Sequence, residues 1–269
     1  LKLDHLGADK IKSRLPGIRD LARRFAHADP IEAPIPVFPT AHYMMGGIPS
    51  NRHGQVVAPT ATGPEEAVPG LYAVGECACV SVHGANRLGG NSLLDIVVFG
   101  RAAGSHMLDY LRENPYPRPI PREATELALA RLARWTRAGQ GETIPEIREA
   151  MRKIMEDHCG VFRSSAGLRE GVEKMQVLRE RFSRAVLHDQ SKIFNTARIE
   201  ALELENMLET ALASIVSASA RQESRGAHSQ VDFPARDDKN WLKHSLYFLD
   251  GDRLDYKPVR LKPLTVESF

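Results

Sequence analysis

The sequence HGANRLGGNSLLD spans residues 83–95 and places Arg87 among glycines directly before a predicted helix start. Asn91 or Ser92 is predicted to cap that helix, with Asp95 as an acidic residue in its first turn. Helix N-termini attract anions, and the planar guanidinium of arginine suits bidentate binding of a carboxylate. A structural salt bridge is the alternative for this arginine, but it would not by itself explain the glycines and the caps. The stretch therefore favours carboxylate binding.

The helix predicted from this start covers residues 93–111. Its first turns are apolar on most sides, which predicts that they are buried. Gly100, Ala103 and Gly104 follow at three- and four-residue spacing, and small residues at that spacing allow close packing against a neighbour. We therefore expect a buried helix pressed against another element.

Two glycine-containing segments precede this stretch. In GLYAVGE (residues 70–76) a short apolar run between glycines predicts a buried strand that ends at Glu76. An acid at the carboxyl end of such a strand commonly meets a ribose or a ring edge, although a surface carboxylate is an equally good interpretation of Glu76 alone. In AHYMMGGI (residues 41–48) His42 precedes a glycine pair that allows close approach of the backbone. Taken alone, this segment favours a tight turn with a structural histidine.

The composition fits a globular protein without a nucleic-acid partner. The 269 residues are 42% hydrophobic and 26% charged, enough for one large domain or two smaller ones. The 36 basic and 34 acidic residues are interspersed, so no basic face or tail indicates nucleic-acid binding. No apolar run approaches the length of a membrane span, so any membrane association would go through a partner.

The three cysteines are Cys77, Cys79 and Cys159. Three thiols cannot form a disulfide framework, and an odd free thiol suits a reducing compartment. Cys77 and Cys79 lack the second ligand pair that a zinc site needs, so buried thiols and no metal site are predicted.

The chain begins with a helical pattern over residues 8–27, which Pro16 interrupts. A proline-rich passage over residues 30–39 then predicts an extended linker or an edge strand. Since the sequence opens at Leu1 without an initiator methionine or a targeting segment, we expect a piece of a longer polypeptide.

The region after the proline run at residues 115–121 is strongly helical in pattern. TIPE (residues 143–146) is a capping box with proline in the first turn, and further helices are predicted over residues 165–186 and 196–220. Helices of this length with short connections predict a three- or four-helix bundle.

The last part of the sequence, residues 221–269, is polar and contains strand-like pieces at 242–249 and 253–261. It also contains SRGAHS (residues 224–229). A functional interpretation places this motif near an active site or a partner interface. The favoured interpretation is a hydrogen-bonded turn that joins the helical region to the last segment.

In their order and spacing, these motifs resemble the flavoprotein subunits of the succinate dehydrogenase and fumarate reductase family. The resemblance covers essentially all 269 residues and includes NT (195–196) before the long helix, RDD (236–238) and Trp241. It implies an α/β fold class, in which the C-terminal part of an FAD-binding, Rossmann-like domain precedes a helical bundle domain and a small α+β C-terminal region.

The resemblance also implies a division of the chain into four parts. Residues 1–40 would be the tail of a capping domain and a return linker, and residues 41–112 the C-terminal part of the FAD-binding domain. Residues 113–220 would form the helical domain and residues 221–269 the C-terminal region.

Site residues follow from the same resemblance, with FAD as the cofactor. His42 and Arg87 would bind the two carboxylates of succinate or fumarate, so that the substrate presents the right C–H bond. Glu76, Ser92 and Leu93 would contact FAD, and the positive end of the helix would face the flavin pyrimidine.

Other parts of the family's machinery are expected upstream of this sequence. These are the G-x-G-x-x-G motif, the histidine linked covalently to the flavin, the proton-shuttle arginine and the remaining dicarboxylate ligands. No catalytic residue is therefore assigned here, and the 269 residues alone should neither hold FAD well nor turn over.

The activity implied is oxidation of succinate to fumarate with hydride transfer to FAD. Electrons would leave through an iron–sulfur subunit to quinone at membrane anchor subunits, as in complex II. The protein would lie peripherally on the cytoplasmic face of the bacterial inner membrane, or on the matrix face in mitochondria.

Three alternatives stay open. The first is a fumarate reductase flavoprotein subunit, which the sequence disfavours because these reductases tend to have serine where Gly90 stands and Ala-Glu at positions 94–95. The second is L-aspartate oxidase, against which Gly89-Gly90 argues. A non-catalytic helical interaction module would explain residues 120–220 alone, and it predicts no flavin site.

Overall fold

The computed structural model describes residues 1–38, 40–136, 139–259 and 261. The chain divides into two compact units, Leu1–Tyr43 and Met44–Phe269. Among the described residues, no helix is long and apolar enough to cross a membrane.

The described residues of the first unit contain a 3₁₀ helix, Asp4–Leu6, and two α-helices, α1 (Ala8–Arg14) and α2 (Pro16–Phe25). Pro16 occupies the first turn of α2, where its missing N–H costs nothing, so the predicted interruption is confirmed. The proline-rich passage that follows contains no helix or strand in its described residues, which agrees with an extended linker.

The second unit opens with four short strands, which are β1 (Ile48–Pro49), β2 (Gln55–Ala58), β3 (Glu66–Tyr72) and β4 (Ala78–Cys79). β1 pairs in parallel with β4, and β2 pairs antiparallel with β3. Each sheet of the described chain has two strands.

The prediction of a buried strand after Gly70 is wrong in part. The strand ends at Tyr72, and the side chain of Leu71 is 51% exposed. Ala73, just beyond the strand, is buried in a small core with Val56 and Ala78. The small sheet explains the difference, because a strand is buried on both faces only where other layers cover it.

The long helix α3 (Asn91–Glu113) differs from its prediction at both its cap and its surface. Gly90 is the N-cap, in the left-handed conformation and without a side-chain cap, and Asp95 lies beyond the first turn. The apolar residues at its start are exposed in this chain, which contradicts the predicted burial. Of the small residues, Ala103 packs against Gly54, whereas a Cβ at Gly100 or Gly104 would meet nothing within 4 Å.

A helical bundle follows, formed by α4 (Arg122–Ala133), α5 (Ile144–Cys159), α6 (Ser165–Ser183) and α7 (Thr196–Ala220). The predicted capping box is present, because the Glu146 carboxylate accepts hydrogen bonds from the backbone N–H and the hydroxyl of Thr143. The buried core of the bundle includes Ile147, Met151, Met175, Leu178, Leu204, Leu208 and Leu212. The predicted bundle is therefore confirmed in α5, α6 and α7, which pack on one another, while α4 has no buried residue.

The C-terminal region contains the short helix α8 (Asp238–Trp241) and an antiparallel hairpin of β5 (Lys243–Phe248) and β6 (Arg253–Pro258), as the strand-like pattern predicted. The Asp252 carboxylate at the hairpin turn accepts hydrogen bonds from Arg179 of α6 at 2.8 and 2.9 Å. The Tyr247 hydroxyl donates to the same carboxylate at 2.6 Å. These bonds hold the hairpin against the bundle.

The helices and small sheets agree with the predicted α/β fold class. The four-part division of the chain stays a prediction.

Candidate active site

Three glycine-containing segments of the second unit meet at one place. The first two are joined by the parallel pairing of β1 with β4, which brings Gly47 against the backbone of Cys77. Gly47 has a φ of +117°, and a Cβ there would lie 2.4 Å from the carbonyl oxygen of Cys77. Only glycine fits this approach, which supports the close backbone contact predicted for the glycine pair.

Glu76 lies in a short 3₁₀ helix, Gly75–Cys77, between β3 and β4. Its side chain is exposed, and its Oε1 accepts a hydrogen bond from the backbone N–H of Met44 at 2.9 Å. The carboxylate therefore ties the first glycine segment to the second.

The start of α3 packs against this 3₁₀ helix. Gly75 has a φ of +76°, and a Cβ on it would lie 3.0 Å from Cγ2 of Ile96. Ser92 is half-buried and Leu93 is exposed in the first turn of α3. The structure thus brings three predicted site residues, Glu76, Ser92 and Leu93, into one region.

Arg87 lies in the loop that leads into α3. It is half-buried, and its NH1 group donates a hydrogen bond to the carbonyl oxygen of Leu88 at 3.1 Å. Upstream in the loop, His83 Nε2 lies 2.8 Å from Oδ2 of Asp95, and both side chains are nearly buried, at 11% and 3% exposure. This pair joins the start of the loop to the second turn of α3.

The His83–Asp95 pair is a feature that sequence reasoning missed. Both residues lie in the stretch 83–95, but the sequence pattern predicts Asp95 only as an acidic residue in the first turn of the helix. A histidine twelve positions before an acid carries no specific signal, so only the fold shows this contact.

His42 belongs to the first unit, where its side chain is exposed. Cys77 is exposed, so the prediction that the thiols are buried is wrong for it. It lies at the end of the same 3₁₀ helix, and its side chain is at the surface of the described chain. Cys79 is half-buried, so the prediction is confirmed for it only in part. Burial raises the pKa of the Cys159 thiol.

Two family models match the chain. Residues 1–93 match an FAD binding domain, and residues 148–268 match the model "Fumarate reductase flavoprotein C-term".

Individual proteins match over the full chain. A succinate dehydrogenase flavoprotein subunit of Coxiella burnetii is 51% identical over 269 residues, which are 100% of this chain and 46% of the relative. The mitochondrial succinate dehydrogenase [ubiquinone] flavoprotein subunit of Oryza sativa is 45% identical, covering 100% of this chain and 43% of the relative. A solved quinol fumarate reductase of E. coli matches with a TM-score of 0.86 and 40% identity, over 100% of this chain and 45% of that one.

These matches and the geometry of the glycine segments define an FAD-binding flavoprotein. The chain belongs to the succinate dehydrogenase and fumarate reductase flavoprotein family. It spans less than half the length of the relatives described above.

The residues present fit one side of a flavin. A Cβ at Gly84, Gly89 or Gly90 would meet nothing within 4 Å, so the described backbone is open at the loop and at the start of α3. Leu88 and Leu93 expose apolar side chains beside it. A flat ring with a polar edge needs this combination of apolar contact, backbone N–H groups and the positive end of a helix.

Proposed function

We propose that the polypeptide to which this chain belongs is the flavoprotein subunit of succinate dehydrogenase, which oxidises succinate to fumarate. The observation that carries the proposal is the meeting of Glu76 and the start of α3 beside the Arg87 loop. The 51% identity to a succinate dehydrogenase flavoprotein subunit supports the choice within the family.

The proposed roles follow from chemistry and position. Arg87 and His42 bind the two substrate carboxylates, because a guanidinium and an imidazole donate hydrogen bonds to carboxylate oxygens. Clamping both ends fixes which C–H bond faces the acceptor, and such positioning removes much of the entropic part of the barrier. Bound FAD supplies the two-electron acceptor.

For the cofactor, Glu76, Ser92 and Leu93 are the proposed contacts. Ser92 and Leu93 lie at the positive end of α3, which favours negative charge on a ring edge placed there. Glu76 offers a carboxylate at the same place, where it can accept a hydrogen bond from a ribose or a ring N–H. The proton-transfer arginine and the covalent flavin anchor are proposed to lie in other parts of the polypeptide.

Partners and location are proposed with the same activity. Electrons pass to an iron–sulfur subunit and then to quinone at membrane anchor subunits, so the protein is peripheral to the membrane. We place it on the cytoplasmic face of a bacterial inner membrane, or on the matrix face in mitochondria. The four-part division predicted for the chain is part of this proposal.

Fumarate reduction is the second candidate, favoured by the 40% identical E. coli quinol fumarate reductase. The match of residues 1–93 to an FAD binding domain disfavours a non-catalytic helical module.

The test compares three activities in one preparation of the full-length polypeptide with FAD. Dye reduction by succinate, fumarate reduction by a reduced dye and aspartate oxidation are measured side by side. We expect succinate oxidation to exceed the other two. Dominant aspartate oxidation, or no dicarboxylate activity at all, would overturn the proposal.

A further inference from the structure

The SRGAHS motif lies against the loop that carries Arg87. The backbone N–H of Ala227 donates a hydrogen bond to the carbonyl oxygen of Ala85 at 3.0 Å. Gly226 has a φ of +57°, and a Cβ on it would lie 2.5 Å from both the carbonyl carbon and the carbonyl oxygen of Ala85. The two backbones therefore touch at a point two residues before Arg87.

The Arg225–His228 turn is closed by its own hydrogen bonds, as the favoured interpretation of the motif requires. Arg225 and His228 exchange backbone N–H···O bonds at 2.9 and 3.0 Å. Arg163, between α5 and α6, donates from NH1 to Nδ1 of His228 at 2.8 Å. An arginine can only donate, so His228 is neutral with its proton on Nε2. The connection between α5 and α6 thus contacts the turn through Arg163.

A buried carboxylate fixes the start of the turn. Glu223 is 0% exposed and accepts hydrogen bonds from Arg225 at 2.7 and 2.9 Å and from Arg221 at 2.6 Å. The backbone N–H of Asp237 donates to it at 2.9 Å. Burial opposes ionisation of Glu223, but these hydrogen bonds outweigh it and keep its pKa below the usual range. A paired charge of this kind holds its neighbours in one arrangement.

The loop is therefore held at two points. One is the His83–Asp95 contact with α3, and the other is the contact of Gly226 and Ala227 with Ala85. A loop fixed at both points has little freedom to move Arg87.

We propose that the Arg225–His228 turn is a positioning element that sets the place of Arg87 for dicarboxylate binding. The proposal rests on the proposed function, since it needs Arg87 to bind a substrate carboxylate. Gly226 acts only through Ala85 and does not touch the substrate. A displacement of about 1 Å at a clamp can cost up to about a hundredfold in rate.

The test uses the full-length flavoprotein with FAD in its complex. Gly226→Ala places a methyl group on the Ala85 carbonyl. The matched control is Gly251→Ala, because Gly251 has a similar φ of +70° with nothing within 4 Å of its Cβ position. We expect Gly226→Ala to raise the KM for succinate about tenfold. FAD content and Tm should match those of Gly251→Ala, whose KM should stay unchanged.

A double variant separates positioning from general loosening. In an Arg87→Ala background, Gly226→Ala should add no further increase in KM, because the group it positions is gone. An equal increase in both backgrounds, or a lower Tm without a change in KM, would overturn the positioning role. If Arg87→Ala changes KM and Gly226→Ala does not, the positioning role is overturned while the proposed function stands.

No change in KM with Arg87→Ala would overturn the proposed function. The positioning role of the Arg225–His228 turn would be overturned as well, because it rests on that function. If Gly226→Ala does not fold, Arg163→Ala provides the same comparison, because it releases His228 without adding an atom. We expect a smaller rise in KM for it, again absent in the Arg87→Ala background.

Discussion

The helical bundle and the glycine-rich region before it (residues 44–113) are stabilised in different ways. In the bundle, Leu204, Leu208 and Leu212 of α7 are almost completely buried in the core shared with α5 and α6. At the start of α3, Leu93 and Leu94 are more than 60% exposed. The bundle completes its own core, whereas the glycine-rich region presents apolar side chains and open backbone.

This difference matches the roles proposed for the two regions. A surface left uncovered in this chain is where the proposal places FAD, the substrate and other parts of the polypeptide. A finished bundle provides a rigid support, and the Arg225–His228 turn contacts both. In this account the bundle carries the stability, and the glycine-rich region carries the proposed site.

The largest expected effect is at the joint of the two regions. Glu223→Ala leaves Arg221 and Arg225 without their buried carboxylate, and breaking such a pair costs about 3–5 kcal/mol. The free energy of unfolding is measured by guanidinium titration with far-UV circular dichroism. Glu126→Ala is the control, because its ion pair with Arg122 is exposed and contributes at most about 1 kcal/mol. Equal losses in the two variants would contradict the assignment.

A second pair of variants tests the comparison directly. Leu208→Ala removes a side chain that is 1% exposed, which costs about 2–5 kcal/mol. Leu94→Ala removes one that is 62% exposed, and in this chain we expect a change within about 0.5 kcal/mol. In the longer polypeptide proposed above, the loss at Leu94 should grow if further chain covers α3. A loss at Leu94 equal to that at Leu208 in the 269 residues would show that the glycine-rich region also has a finished core.

Within the glycine-rich region, the two adjacent glycines should respond differently. Gly47→Ala places a Cβ on the Cys77 carbonyl, and such enforced strain costs about 1–3 kcal/mol. Gly46→Ala has a similar positive φ, of +98°, but no neighbour within 4 Å, so it is the matched control. The temperature at which FAD is released on heating should fall less for Gly46→Ala than for Gly47→Ala. The reverse order would contradict the close approach of β1 to β4.

The smallest effect concerns pH. Burial, together with Arg163 and Arg221, lowers the pKa of His228 from 6.5 to about 4. Below pH 6.5, His228 is protonated in the unfolded chain but stays neutral in the folded chain. The free energy of unfolding therefore falls as the pH drops from 6.5 towards 4. His228→Asn keeps an acceptor for Arg163 and cannot titrate.

The slope of Tm between pH 7 and pH 5 should be shallower in that variant. His244 contributes a residual slope, because burial also lowers its pKa. An unchanged slope would show that folding does not lower the pKa of His228.

Sequence reasoning succeeded where the signal is local. The capping box at Thr143, the interruption at Pro16 and the long helix after Asn195 are each encoded within a few residues, and each is present. It failed where burial depends on distant partners. The apolar start of α3 and the thiol of Cys77 were expected to be buried, but no layer of the described chain covers them.

The candidate site shows the same division. The motifs pointed to Glu76, Arg87 and the start of α3, because glycines, an arginine and a helix start are adjacent in sequence. The contact of Gly226 with Ala85 could not be predicted, since about 140 residues separate them and nothing in either motif refers to the other. His42 and Arg87 as a substrate clamp stay a prediction.

The central claim is that Arg87 binds a substrate carboxylate. The most direct measurement is the Kd of malonate, a dicarboxylate with no second methylene to oxidise, from the change that it causes in the flavin absorbance of the full-length protein. Arg87→Ala should raise this Kd about a hundredfold with FAD content unchanged, because a charged partner of the carboxylate is lost. The Kd for Arg87→Lys should lie between those of the unsubstituted protein and Arg87→Ala, since lysine keeps the charge and loses the bidentate fork. A Kd for malonate that is the same in all three proteins would contradict the account.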